Sequence, residues 1–195
     1  MKVFVNFLTT FRFAFTLFLP FIKKYISNIS FISSIAVLFL TDFIDGKLAR
    51  KYNVQTIYGS AMDTIADKTL SIVLLFMLVK GIPILVYILI LEIIIALINV
   101  IGFLQGKRTK SSYSGKLKTW FLAISIILGF MNNFGMINKT ILMISAIATI
   151  IIQSITIIDY IKRLSHEEKH QNIINWKDLK TILFDTNYYL TKNEI

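Results

Sequence analysis

Apolar residues run along this chain in stretches of about twenty, separated by short polar interruptions. They follow neither the two-residue alternation of a strand nor the narrow stripe of a soluble helix. An α-helix needs a run of that length to cross about 30 Å of hydrocarbon. The interruptions at Lys23-Lys24, Lys80-Gly81-Ile82-Pro83, residues 106–114 and Asn132-Asn133 predict six helices, over residues 6–22, 27–51, 59–79, 83–105, 115–131 and 138–161. The fold class expected is therefore all-α: an integral membrane domain of six transmembrane helices over residues 1–163, followed by a polar cytoplasmic tail over 164–195. In that tail Trp176, Leu179 and Leu183 form a sparse stripe suited to a membrane surface. The apolar opening is expected to be a retained first span, because no small-residue cleavage site follows it.

Composition narrows this picture. Hydrophobic residues make up 55 % of the 195 positions and charged ones 16 %, which excludes disorder and leaves no room for a large soluble domain. Cysteine is absent and there are two His, so disulfides, thiolate metal sites, a cysteine nucleophile and a histidine-rich metal site are all excluded. The 21 Lys and Arg outnumber 11 Asp and Glu, and their placement sets orientation, because short cytoplasmic loops retain basic residues. With a cytoplasmic N-terminus, one side holds Arg50, Lys51, Lys107, Arg108, Lys110, Lys116, Lys118, Lys162 and Arg163. The other holds only Lys23, Lys24, Lys80 and Lys139. A multi-pass protein of the cell membrane with both termini in the cytoplasm is expected. Cations dispersed along one membrane face, with no groove-reading module, speak against a nucleic-acid partner.

Four of the few acids, Asp42, Asp45, Asp63 and Asp67, crowd the predicted cytoplasmic ends of helices two and three. At about 100° per residue, Asp42, Asp45, Gly46 and Ala49 share one helix face, and Gly59, Asp63 and Asp67 share a face of the next. A single Asp at a helix end is readily explained as a cap or as a partner of Arg50 or Lys68. Four carboxylates directed to one cleft are not, because like charges at low dielectric need a compensating cation. All-oxygen ligands select a hard divalent ion, Mg²⁺ or Mn²⁺, and four carboxylates suffice for two ions. Two such ions can clamp the attacking and leaving oxygens of a phosphoryl transfer.

The segment Asp42-x-x-Asp45-Gly46-x-x-Ala49-Arg50, eight residues, then Gly59-x-x-x-Asp63-x-x-x-Asp67 resembles the signature of the CDP-alcohol phosphatidyltransferases. These membrane enzymes move a phosphatidyl or related group from a CDP-linked donor to an alcohol. The resemblance implies six transmembrane helices, a homodimer and a site open to the cytoplasm. It implies that Asp42, Asp45 and Asp63 hold one metal ion and Asp42, Asp63 and Asp67 the second, with Asp67 also accepting the proton of the attacking hydroxyl. Arg50 would share in neutralising the donor pyrophosphate. Gly46 and Gly59 would let the CDP-lipid approach the backbone, and Thr56 lies in the linker where family members contact the nucleotide.

Motifs outside the signature bear on the acceptor. Asn6-Phe7-Leu8-Thr9-Thr10-Phe11-Arg12 is similar to the opening of the phosphatidylglycerophosphate synthase branch, which implies that Asn6 and Thr9 touch CDP-diacylglycerol. Asp159-Tyr160 is similar to that branch's ending. Gly115-Lys116-Leu117-Lys118-Thr119 matches a motif shared with the phosphatidylinositol phosphate branch and makes Lys116 and Lys118 candidates for the acceptor phosphate. Positive-inside bias and anionic headgroups account for such lysines equally well. Three positions depart from the pattern: Val5 stands where the opening motif has Pro, Leu91 precedes Glu92 where that branch has Arg-Glu, and Thr64 replaces a common Pro. Glu92 is left either in a substrate pocket or paired with a distant Lys. The function expected is phosphatidyl transfer from CDP-diacylglycerol to sn-glycerol 3-phosphate with release of CMP. The rivals are the same chemistry on inositol phosphate or phosphatidylglycerol, a small cation transporter with acids along its path, and a degenerate partner subunit.

Overall fold

The computed structural model describes the backbone of residues 2–51, 57–104 and 113–166, with their side chains except those of 2–6, 8, 42–51, 57–61, 103–104 and 166. Thr56 and the tail residues Trp176, Leu179 and Leu183 lie outside the described residues. Within them are six α-helices: α1 Lys2–Ile22, α2 Asn28–Lys51, α3 Ile57–Val79, α4 Leu85–Leu104, α5 Tyr113–Asn133 and α6 Lys139–His166. No strand occurs among the described residues.

Local chemistry sets the ends. Ser27, expected as the first residue of α2, instead caps it: its Oγ accepts the Ser30 backbone N–H at 3.2 Å. Pro83 stands ahead of α4 in a leading turn where its carbonyl accepts the Val86 N–H at 3.0 Å. After α5 the chain closes a Schellman turn, with Met136 N–H bonded to Met131 O at 2.8 Å and Gly135 N–H to Asn132 O at 2.9 Å. Gly135 takes φ +71° there, a left-handed conformation that a side chain would strain. α6 runs past the expected Ile161, and Arg163 Nε donates to Asp159 Oδ1 at 3.1 Å across that extra turn.

Among the described residues three stretches are long and apolar enough to cross a membrane: Leu85–Gly102, Tyr113–Asn133 and Lys139–Ser165. Shorter apolar stretches cover Thr9–Ile22 and Asn28–Thr41. The shorter two end where the described side chains of α1 and α2 end. α3 is long, but Asp63, Asp67 and Lys68 interrupt its apolar run.

The described residues divide into two units, one within 2–70 and one within 71–166. In the first, α1 packs on α2, and Leu19, Phe31, Ile35 and Leu38 are buried. α1 buries Thr9, Arg12, Thr16 and Leu19, spaced as one helix face, and turns Phe7, Phe11, Phe18 and Phe21 outward. In the second, α6 packs on α4 and α5. It too is inverted relative to a soluble helix: Ile144, Ile147, Ile151, Ile155 and Ile158 are exposed, whereas Thr149, Gln153 and Thr156 are fully buried. Close approach depends on small residues. A Cβ on Gly129 would stand 2.8 Å from Leu78 Cδ1, and Ser125 and Thr149 share a 2.7 Å hydrogen bond.

Candidate active site

In the first unit, the α2 backbone holds Asp42, Asp45, Gly46 and Arg50 in one continuous helix, and α3 holds Gly59, Asp63 and Asp67. The side chains of Asn6, Asp42, Asp45 and Arg50 lie outside the described residues. Asp63 and Asp67, one turn apart on α3, are each of intermediate exposure. Arg12 Nη2 donates to Asp63 Oδ1 at 2.8 Å; the arginine side chain is 3 % exposed and the aspartate 43 %. A guanidinium buried in an apolar helix requires an anion, and here that anion is an Asp of the signature. Thr9 is buried one turn before Arg12 on the same face. Thr16 Oγ1 donates to the Arg12 carbonyl at 2.8 Å.

The carboxylates present fit a hard divalent ion in donor chemistry: oxygen ligands alone, with Asp63 and Asp67 partly open to solvent. Asp63 has one oxygen on Arg12, which leaves the other for a second partner. Among the described residues no group of three His, Asp or Glu converges, since Asp42 and Asp45 fall outside them.

The second unit separates the two motif lysines. Lys116 is exposed on α5. Lys118, two positions and so about 200° further round, is 3 % exposed, and its Nζ donates to Glu92 Oε1 and Oε2 at 2.9 Å each. Gln153 Nε2 donates to Glu92 Oε2 at 3.0 Å, so α4, α5 and α6 meet at one fully buried carboxylate. The partner of Glu92 is therefore Lys118. Gln153 escaped the sequence reading, although an amide inside an isoleucine-rich helix is a signal of an interior contact.

The same unit brings the Gly115 motif and the Asp159-Tyr160 ending together. Ser114 Oγ donates to Asp159 Oδ2 at 2.7 Å, and Thr156 Oγ1 approaches the Ser114 carbonyl at 3.4 Å. A Cβ on Gly115 would lie 2.6 Å from the Tyr160 hydroxyl. Both motifs thus form one junction between the start of α5 and the end of α6.

Residues 2–152 match the CDP-alcohol phosphatidyltransferase family. A probable phosphatidylglycerophosphate synthase of Mycobacterium tuberculosis is 34 % identical over 128 residues, 64 % of this chain and 60 % of the relative. The matched region thus spans less than two thirds of that relative's length. CDP-diacylglycerol–glycerol-3-phosphate 3-phosphatidyltransferases of Rickettsia bellii and Wigglesworthia glossinidia brevipalpis are 51 % identical over 41 residues and 40 % over 65. These cover 21 % and 32 % of this chain, and 23 % and 33 % of the relatives. With most of its length inside the family match and the full Asp42 to Asp67 signature on two successive helices, this chain belongs to the CDP-alcohol phosphatidyltransferases.

Proposed function

We propose that this protein is a membrane enzyme that transfers the phosphatidyl group of CDP-diacylglycerol to sn-glycerol 3-phosphate and releases CMP. The observation that carries the reading is the complete signature on α2 and α3 inside the matched region, supported by relatives named for this reaction. Family membership favours it over a cation transporter. The intact set of Asp favours it over an inactive subunit. The proposal includes six membrane-crossing helices, a homodimer, and a site and both termini on the cytoplasmic side.

In this reading Asp42, Asp45 and Asp63 hold one Mg²⁺ or Mn²⁺ and Asp42, Asp63 and Asp67 a second. These ions would neutralise the donor pyrophosphate. Asn6, Thr9, Gly46, Arg50, Thr56 and Gly59 bind the CDP-lipid. Asp67 takes the proton of the acceptor hydroxyl, whose oxygen attacks the lipid-bearing phosphorus. The bond from that phosphorus to CMP breaks, and the proton passes from Asp67 to solvent. Lys116, being exposed, is the better placed of the two lysines for the acceptor phosphate, because the charge of Lys118 is matched by Glu92. Purified protein given labelled CDP-diacylglycerol with glycerol 3-phosphate, inositol phosphate or phosphatidylglycerol tests the reading. Glycerol-phosphate-dependent CMP release is expected, and its absence with release on another acceptor would transfer the assignment to that acceptor.

A further inference from the structure

We propose that Arg12 is a positioning residue for the proposed metal ligand Asp63. α1 buries a seam of Thr9, Arg12, Thr16 and Leu19 while its phenylalanines face outward, so the arginine is directed inward by the helix itself. Its guanidinium reaches across 51 positions to Asp63 Oδ1 at 2.8 Å, and Thr16 hydrogen-bonds the Arg12 backbone carbonyl one turn on. The two ends of the contact differ in freedom. Arg12 is 3 % exposed and held by packing, whereas Asp63 is 43 % exposed and would sample several rotamers alone. A charge-assisted bond from a fixed donor selects one of them and directs the remaining oxygen, Oδ2. Partners that orient ligating carboxylates in this way govern metal affinity as strongly as many ligands do. A cation near a metal site would also repel the ion, and the 43 % exposure of Asp63 admits water that screens this repulsion.

The inference rests on the metal-dependent reading above, and one experiment separates the two. Full-length protein in lipid nanodiscs is titrated with Mn²⁺, and the free aqua ion is read by electron paramagnetic resonance, with thermal unfolding recorded in parallel. Wild type is expected to bind saturably and Asp63→Asn to lose binding. Arg12→Met is expected to raise Kd about 10–100-fold, and Arg12→Lys, which keeps a cationic donor, to recover most of that loss. A merely structural Arg12 would lower the unfolding temperature of Arg12→Met and leave Kd unchanged. Unchanged or tighter binding in folded Arg12→Met overturns the proposal. If Arg12→Met does not fold, Arg12→Gln is compared with Arg12→Lys: weaker binding by the neutral variant supports the proposal, and equal Kd overturns it. No Mn²⁺ binding by wild type overturns the metal reading and this inference together.

Discussion

Replacing Glu92 by Gln tests the buried meeting point of α4, α5 and α6. The carboxylate receives three donated bonds of 2.9, 2.9 and 3.0 Å from Lys118 and Gln153, all inside the bundle. The amide keeps one acceptor oxygen but removes the negative charge that faces the Lys118 ammonium, which is 3 % exposed. Removing one member of a buried pair costs about 3–5 kcal/mol. The surviving neutral hydrogen bond places Glu92→Gln near the lower end, about 3 kcal/mol, or roughly a hundred-fold in the folded to unfolded ratio. Lys118→Met alone removes the cation and leaves the carboxylate the Gln153 amide bond. The double variant removes both charges and is expected to be closer to wild type than Glu92→Gln alone. Reversible unfolding in mixed detergent micelles, read by helix circular dichroism, gives the cycle. A loss under about 1 kcal/mol in Glu92→Gln, or a double variant equal to the sum of the singles, would refute the buried pair.

Asp67→Asn is expected to abolish CMP release while leaving the unfolding temperature near that of wild type; residual turnover would remove Asp67 from its role as base. Lys116→Ala is expected to raise KM for glycerol 3-phosphate with little change in kcat, and a fall in kcat alone would argue against a phosphate contact. Gly115→Ala drives a methyl to 2.6 Å from the Tyr160 hydroxyl, an overpacking cost of about 1–3 kcal/mol, partly offset by the roughly 1 kcal/mol that Ala gains over Gly in a helix. Adding Tyr160→Phe leaves the ring carbon at 3.6 Å, an ordinary contact, so thermal unfolding of the double variant is expected to recover to that of Tyr160→Phe or above.

Much of this was legible before any coordinates. The six helices follow from apolar runs and their breaks, whereas Ser27 and Pro83, expected as first helical residues, stand just ahead of α2 and α4, and the Gly135 turn carries no expectation. The signature placed the carboxylates on two successive helices because i, i+3 and i, i+4 spacing is a helical property. What could not be read was pairing at a distance. Nothing local in α4 says that Glu92 meets a lysine 26 residues later and an amide 61 residues later, or that Arg12 closes on Asp63. The separation of Lys116 from Lys118 was in principle available, since two residues on a helix point nearly opposite ways. Which of them turns inward depends on where α4 and α6 lie, and that is tertiary information.

The meeting of Glu92 with Lys118 and Gln153 also imposes an order in time. A ribosome adding about 5–20 residues per second delivers Glu92 roughly one to five seconds before Lys118 and roughly three to twelve seconds before Gln153. During that interval the carboxylate lacks both of these donors, and a charge at the centre of a membrane helix costs about 2.5–3.5 kcal/mol on insertion. For α4, apolar enough to cross a membrane, that cost is recovered in two steps, first from Lys118 on α5 and then from Gln153 on α6.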